Sequence, residues 1–121
     1  MNLLAITGAS AGIGLETARR FRAEGFEVVN LSRRPCPLDG VTNLTCDLAD
    51  ADALATVAPH LTARFEAAAR VVLVHNAARM RSDTAASTDS ADFRAVLEVN
   101  LIAPNALNRL AIPHMQSGSA I

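Results

Sequence analysis

The sequence predicts an α/β fold in which helices cover both faces of a doubly wound parallel sheet, giving three layers. Three observations support this prediction. Short and purely apolar runs, typical of strands buried on both faces, alternate with segments of helical periodicity. The connections between these segments are short. A glycine-rich turn, TGASAGIG from Thr7 to Gly14, follows the first apolar run, at the place where such sheets bind ligands.

Composition and charge exclude several classes of protein. Half of the 121 residues are apolar, the formal net charge is −1 and the aromatic residues are four Phe, which argues against a disordered chain and against a nucleic-acid-binding surface. No basic segment precedes the first apolar run, and no stretch approaches the roughly 18 apolar residues of a membrane span. We therefore expect a cytoplasmic protein. Cys36 and Cys46 lack the spacing of a metal site, so we expect reduced thiols and no bound metal.

The first half of the chain predicts three strands and a helix. Residues 3–6 form the first strand, and a helix follows from Gly12 to about Ala23. Its predicted buried face consists of Ile13, Thr17, Ala18 and Phe21. The segment FEVVNLS predicts a second strand, RRPCPLDG a loop and VTNLTC a weaker third strand.

The second half predicts two helices around a fourth strand, RVVLVHNAA. The first of these helices carries apolar residues at helical spacing, Leu54, Val57, Leu61 and Phe65, but Pro59 is expected to kink or split it. The second helix runs from about Ser90 to Met115, with Pro104 and Pro113 limiting its regularity. Its predicted apolar side consists of Phe93, Val96, Leu97, Leu101 and Leu107. The final GSAI reads as the opening of a fifth strand, so we expect the chain to stop in mid-fold.

The glycine turn predicts a nucleotide site. Gly8, Gly12 and Gly14 have the spacing GxxxGxG, and glycine lets the backbone turn sharply and approach a pyrophosphate at the positive end of the following helix. The alternative is that the three glycines only make a sharp corner. The strand before the turn and the helix after it favour the nucleotide site.

Four segments, in order, resemble the motifs of the classical short-chain dehydrogenases/reductases. They are TGASAGIG, CDLAD after the third strand, HNAA after the fourth strand and VNLIAPNAL within the long helix, and together they cover essentially the whole chain. The resemblance implies a Rossmann-type fold and an oxidoreductase that moves hydride between a nicotinamide cofactor and a small alcohol or carbonyl substrate. It implies that residues 1–121 are the N-terminal, cofactor-binding part of a single domain. It also implies a homo-oligomer formed through the helix at about residues 90–115.

The same resemblance assigns most of the cofactor-binding residues. It implies that the pyrophosphate and the adenosine ribose are surrounded by Gly8, Ser10, Gly12, Ile13 and Gly14. Asp47 and Leu48 would face the adenine, the carboxylate accepting a hydrogen bond from its amino group. The segment of the family that lies beside the ribose corresponds to Asn76, Ala77 and Ala78.

Two residues around that segment depart from the family's pattern. Ala78 stands where the family usually has glycine, and its methyl group either narrows the nicotinamide side of the groove or has no effect. His75 replaces a common asparagine. We interpret His75 as a histidine at the strand end rather than as a proton carrier, because the sequence names no partner for it.

The end of the second strand favours NADP(H) over NAD(H). A site selective for an unphosphorylated ribose normally has an Asp or Glu here, whereas this chain has LSRR. Ser32, Arg33 and Arg34 can donate hydrogen bonds to a 2′-phosphate, and such charge-assisted bonds are strong. The alternative is an ordinary basic loop.

The catalytic set of the family is mostly missing from this chain. The family uses a Ser, and a Tyr and Lys in a YxxxK pair, but the sequence has no Tyr and no Lys, and the Ser is expected just beyond Ile121. Only Asn100 matches the set, where it helps to hold a water; the alternative is an Asn that satisfies a helix irregularity before Pro104. We expect the N-terminal part of an NADP(H)-dependent carbonyl reductase or alcohol dehydrogenase, inactive as it stands. The alternative is a nucleotide-binding or interaction module without turnover.

Overall fold

A single parallel sheet organises the computed structural model, which describes residues 1–121. Its strands are β1 (Asn2–Thr7), β2 (Glu27–Ser32), β3 (Thr42–Thr45) and β4 (Arg70–Val74). The strand order is β3-β2-β1-β4, and every neighbouring pair is parallel. The predicted doubly wound parallel fold is confirmed, and the first strand lies inside the sheet, between β2 and β4.

The last residues of the chain pair with the free edge of β4. Ala120 forms a parallel bridge with Val72, its N–H donating to Val71 O at 3.0 Å and its carbonyl accepting from Leu73 N at 2.9 Å. The expected opening of a fifth strand is therefore seen as a single bridge at this edge.

Helices cover both faces of the sheet. They are α1 (Gly12–Ala23), α2 (Ala51–Ala67), α3 (Ser90–Leu97) and α4 (Ala103–Ala111), with a π-helical segment (Glu98–Ile102) joining α3 to α4 and a 3₁₀ turn (Ile112–His114) after α4. Successive strand residues point to opposite faces, so β1 sends Leu4 and Ile6 towards α1, and Leu3 and Ala5 towards α2 and α4. The two faces form two apolar cores, of which the one under α2 and α4 is larger.

The predicted buried face of α1 is wrong at Ile13, which is 81% exposed. The residues that α1 buries are Gly14 and Ala18. The cause is a close backbone contact, because a Cβ at Gly14 would overlap the carbonyl oxygen of Gly8. This contact fixes the rotation of the helix and leaves Ile13 outside.

Helix α2 continues through Pro59, so the expectation that the proline splits it is wrong. The helix starts at a clear cap, where the Asp50 side chain accepts hydrogen bonds from the N–H groups of Asp52 and Ala53 at 2.9 and 3.3 Å. Pro59 itself is exposed. Buried apolar residues on both sides of it hold the two halves against one core, namely Leu54, Leu61 and Phe65.

The long helix contains a π-helical segment that shifts its buried face. Pro104 has no N–H to offer the carbonyl of Asn100, and Ala103 N donates to Glu98 O, five residues back. From the π-helical segment onwards the buried positions recur every four residues, at Val99, Ala103, Leu107 and Ala111. The predicted apolar side is therefore correct at Leu107 and wrong at Phe93 and Leu101, which are 53% and 62% exposed.

This shift of phase predicts unequal effects for two leucines of the same helix. Leu107→Ala should lower the free energy of unfolding by about 2–5 kcal/mol, because it leaves a cavity in the core. Leu101→Ala should change it by less than about 0.5 kcal/mol, because the side chain lies at the surface. Chemical denaturation of both variants measures the difference, and equal losses would contradict the described register.

Candidate functional site

A groove of about 610 Å³ lies at the carboxyl ends of the strands. Loops that follow all four strands contribute to it. Its walls consist of Gly8, Ser10, Leu31, Ser32, Arg33, Arg34, Cys46, Asp47, Leu48, Asn76, Ala77, Ala78, Arg79, Met80 and Val99. Ten of the residues predicted to bind the cofactor are therefore brought together here. The other three, Gly12, Ile13 and Gly14, lie next to the groove in the first turn of α1.

The glycine turn has the geometry that its residues require. Gly8 and Gly12 have φ values of +75° and +59°, in the region that side chains other than glycine rarely adopt. A Cβ at Gly14 would lie 2.5 Å from Asn76 Nδ2, in addition to overlapping Gly8 O. Gly14 is thus required for space, whereas Gly12 is required for its backbone conformation.

The loops after β1 and β4 are joined by a compact set of hydrogen bonds. The Thr7 hydroxyl accepts from the N–H groups of Asn76 and Ala77 at 3.1 and 3.0 Å. In return, Asn76 Nδ2 donates to the carbonyl oxygens of Thr7 and Gly8 at 3.1 and 3.0 Å. We call this set the β1–β4 joint. It fixes the position of the glycine turn after β1 relative to the loop after β4, and both line the groove.

A buried asparagine in β2, Asn30, supports the glycine turn from the side of β2. Its Oδ1 accepts from Ala9 N at 2.9 Å, and its Nδ2 donates to Ser32 Oγ at 2.8 Å and Asn43 Oδ1 at 2.9 Å. Asn43 in turn accepts from Cys36 N at 2.8 Å. The sequence analysis missed Asn30, although an asparagine within the apolar strand FEVVNLS is a signal, because a buried amide needs partners.

The basic end of β2 presents two arginines to the groove. Arg33 and Arg34 are exposed, and neither forms an ion pair. The Ser32 hydroxyl donates to the carbonyl of Arg34 and accepts from Asn30, so its proton is already used within the protein. The two guanidinium groups are therefore the free donors at this end of the groove.

The loop after β3 supplies one acid and an apolar surface. Asp47 Oδ1 accepts from Ala49 N at 3.0 Å, and the adjacent Leu48 is buried. Cys46 is also buried, and this burial, together with the charges of Asp47 and Asp50, raises the pKa of its thiol. Cys46 thus stays a neutral thiol at physiological pH and is not a nucleophile.

Asn100 does not line the groove but holds one of its walls. Its Oδ1 accepts from Arg79 N at 2.8 Å and its Nδ2 donates to Arg79 O at 2.9 Å. The side chain thus serves the main chain of Arg79 rather than the helix irregularity in which Asn100 lies. The Arg79 guanidinium lies 3.8 Å from Asp92, whose other oxygen is 2.8 Å from Arg81.

His75 has a partner that the sequence did not reveal. Its Nε2 lies 2.7 Å from Asn108 Oδ1, on α4, while its Nδ1 is buried without a partner. His75 stands outside the groove, at the end of β4. Nothing in the sequence pairs positions 75 and 108, because the contact depends on how α4 packs on the sheet.

A second cavity of about 460 Å³, which we call the amino-end cavity, lies beside Met1, the first residue of β2 and the second half of α2. His60 and an ion pair between Arg64 and Glu27 line it. No three His, Cys, Asp or Glu side chains are placed to hold a metal ion. None of the helices is both long and apolar enough to cross a membrane.

Comparison with known proteins gives one consistent family. The family model described as short chain dehydrogenase matches residues 2–121. A galactitol 2-dehydrogenase (L-tagatose-forming) of Cereibacter sphaeroides is 36% identical over 107 residues, which cover 80% of this chain and 41% of that protein. Dehydrogenase/reductase SDR family member 7B of Rattus norvegicus is 31% identical, with 93% of this chain and 39% of that protein covered. The chain spans about two fifths of the length of these two relatives.

Solved structures agree in fold. A short-chain dehydrogenase/reductase from Burkholderia vietnamiensis has a TM-score of 0.86 over 98% of this chain and 59% of its own, at 22% identity. An oxidoreductase of the same family from Brucella ovis, in complex with a partially ordered NAD, has a TM-score of 0.81 at 29% identity, covering 93% and 57%. A short-chain dehydrogenase from Sphingobium yanoikuyae, in complex with NADPH, has a TM-score of 0.78 at 27% identity, covering 93% and 48%.

The packing of Gly14 against the β1–β4 joint predicts that even a methyl group is harmful there. Gly14→Ala should lower the free energy of unfolding by about 1–3 kcal/mol, because the added Cβ collides with Gly8 O and the Asn76 amide. Arg20→Lys, at an exposed position on the same helix, should stay within about 0.5 kcal/mol of the parent. Thermal unfolding compares the two variants. A Gly14→Ala variant as stable as the parent would show that Gly14 does not lie close to Gly8 O and the Asn76 amide.

Proposed function

The chain belongs to the short-chain dehydrogenases, and we propose that it forms the cofactor-binding part of an NADP(H)-dependent oxidoreductase. The substrate class is a small carbonyl compound or alcohol, with hydride moving to or from the nicotinamide. The observation that carries the proposal is the groove at the carboxyl ends of the strands, with two unpaired arginines beside the end of β2. Residues 1–121 belong, in this proposal, to one single-domain enzyme.

We propose a place along the strand order for each part of a dinucleotide. Asp47 and Leu48, after β3, would hold the adenine, and the residues at the end of β2 would hold the adenosine ribose. The glycine turn at the end of β1 would hold the pyrophosphate. Asn76, Ala77 and Ala78, after β4, would line the site of the nicotinamide half.

Helix α1 is suited to hold the pyrophosphate. Its N-cap is Ala11, which offers no side-chain acceptor, whereas α2 and α3 are capped by Asp50 and Asp89. The first N–H groups of α1 therefore lack a side-chain partner, and together with the helix dipole they favour an anion. Gly12, where an added Cβ would have no neighbour, leaves the backbone open to approach, and Gly8, Ser10 and Gly14 form the rest of the turn around the proposed pyrophosphate. The exposed Ile13 adds apolar surface beside it.

The preference for a 2′-phosphate rests on the charges after β2. Asp47 is the only acid that lines the groove, and it follows β3 rather than β2. Relatives of known structure include complexes with NAD and with NADPH, so the family alone does not fix the choice. In this chain Arg33 and Arg34 supply charge-assisted hydrogen bonds to the phosphate. Ser32 supports the loop through Asn30 and Arg34 rather than donating to the ligand.

The proposed reaction of a carbonyl or alcohol substrate requires groups that these residues do not supply. A nicotinamide cofactor, when bound, supplies or accepts the hydride. A proton donor must also serve the substrate oxygen, and the Tyr and Lys that do so in the resembled family do not occur in these 121 residues. For Asn100 we propose the accessory part of holding a water. Its side chain is engaged by Arg79, so the group that would hold this water is its main-chain carbonyl, to which Pro104 offers no N–H.

The outer face of the long helix is the proposed interface with a second copy. Phe93, Leu101 and Ile112 are large apolar residues left exposed there. The cytoplasmic location stays a prediction from the sequence.

The arginines after β2 predict a measurable cofactor preference. NADPH should bind this chain at least about ten-fold more tightly than NADH, because one or two charge-assisted bonds to the 2′-phosphate are lost with NADH. Arg33→Ala should remove most of the preference. Arg109→Ala, which removes an equal charge from an exposed position on α4, should leave it intact. Calorimetric titration measures the affinities of the parent and the two variants for both cofactors. Equal affinity of the parent for NADPH and NADH would contradict the proposed preference.

The missing proton donor predicts that the 121-residue chain binds cofactor without turning it over. Loss of general acid catalysis lowers the rate by roughly 10²–10⁴-fold, and loss of the fixed hydrogen bonds to the growing oxyanion by roughly another 10²–10³-fold. NADPH absorbance, followed with a simple diketone or aldehyde, should therefore not fall faster than in buffer. Oxidation at ordinary enzymatic rates by the purified chain would mean that a residue present here donates the proton.

A further inference from the structure

The wall of the groove that follows β4 has no regular secondary structure of its own, yet it must be fixed. Residues 75–79 form no helix or strand, and Asn76 to Arg79 line the groove. On one side this wall is held by the β1–β4 joint. On the other side two contacts reach the long helix, one at each end of the wall.

Both contacts with the helix are made by asparagines. Asn100 holds the main chain of Arg79 at one end, and Asn108 meets the ring of His75 at the other, at 2.7 Å. Eight residue steps of a helix rise about 12 Å. Four steps of chain reach at most about 14 Å when fully extended. The wall therefore runs antiparallel to the helix, and four steps of chain are long enough to span its two attachments.

We infer that His75 and Asn108 are positioning residues for the nicotinamide half of the cofactor site. Neither lines the groove, so they act through the wall that they hold. Loss of this attachment detaches from the long helix the end of the wall that leaves β4, and the β1–β4 joint alone then holds that end. The adenosine half of the site does not depend on the wall, since the loops after β2 and β3 form it. This inference rests on the proposed function.

The state of the imidazole follows from its surroundings. With Asn108 Oδ1 as the acceptor, the proton of neutral His75 is on Nε2, and Nδ1 keeps a lone pair. Nδ1 is buried without a partner, so no second contact competes to turn the ring. A single tautomer is expected as a result.

The test compares a whole dinucleotide with its adenosine half. NADPH and adenosine 2′,5′-bisphosphate are titrated into the 121-residue chain and into Asn108→Ala. The variant should bind NADPH about three- to ten-fold more weakly, because one hydrogen bond that orders the wall is lost, while its affinity for the bisphosphate stays within about two-fold of the parent. Asn105→Ala, at an exposed position on the same helix, should change neither affinity.

A second variant keeps the experiment decisive if Asn108→Ala unfolds. His75→Phe retains a ring of similar size and removes the hydrogen bond, so it should show the same split between the two ligands. In the unmodified chain, at a pH at which the imidazole is neutral, the ¹⁵N shifts of the His75 ring should show a protonated Nε2 and an unprotonated Nδ1. Averaged ring shifts, or equal losses for both ligands, would overturn the inference.

The outcomes also separate this inference from the proposed function. A parent chain that binds neither ligand would overturn both. A parent that binds NADPH, with both variants binding it unchanged, would overturn only the positioning role of His75 and Asn108.

Discussion

The close approach of the loops after β1 and β4 is the constraint on which the groove depends. The Thr7 hydroxyl takes two N–H groups of the neighbouring loop, and the Asn76 amide returns two hydrogen bonds to the carbonyls of Thr7 and Gly8. This exchange is possible only because Gly14 brings no side chain into the same space. Buried donors and acceptors without partners are unfavourable, so the joint holds both loops in one arrangement.

Several other features follow from this joint. Placing Gly14 against the carbonyl of Gly8 fixes the rotation of α1, which buries Ala18 and turns Ile13 outwards. The same rotation sets the uncapped N-terminus of α1 beside the groove. On the far side, Asn30 continues the hydrogen bonding from the glycine turn to the loop that carries the two free arginines. Polar contacts thus link the loops after three strands, and the apolar cores lie beneath them.

Sequence patterns predicted the strands and the glycine turn, because apolar runs and glycine spacing are local signals, and the resemblance to the family supplied most of the other groove residues. The errors came from features that depend on packing. Helical periodicity placed Ile13 and Leu101 in the core, but a backbone contact set the rotation of α1, and a π-helical segment before Pro104 changed the phase of the long helix. The pairing of His75 with Asn108 had no signal in the sequence, since the two positions meet only when α4 lies on the sheet. The role of Asn30 could have been predicted, because an asparagine within an apolar strand needs buried partners, but it was not.

We propose that a dinucleotide lies across the carboxyl ends of all four strands. Amide chemical shifts of the ¹⁵N-labelled chain, followed during titration with NADPH, test this placement most directly because each loop is reported separately. The largest changes should occur at residues 8–14, 32–34, 47–48 and 76–79 and should saturate with a single affinity. Changes concentrated instead around the amino-end cavity, near His60 and Arg64, would contradict it.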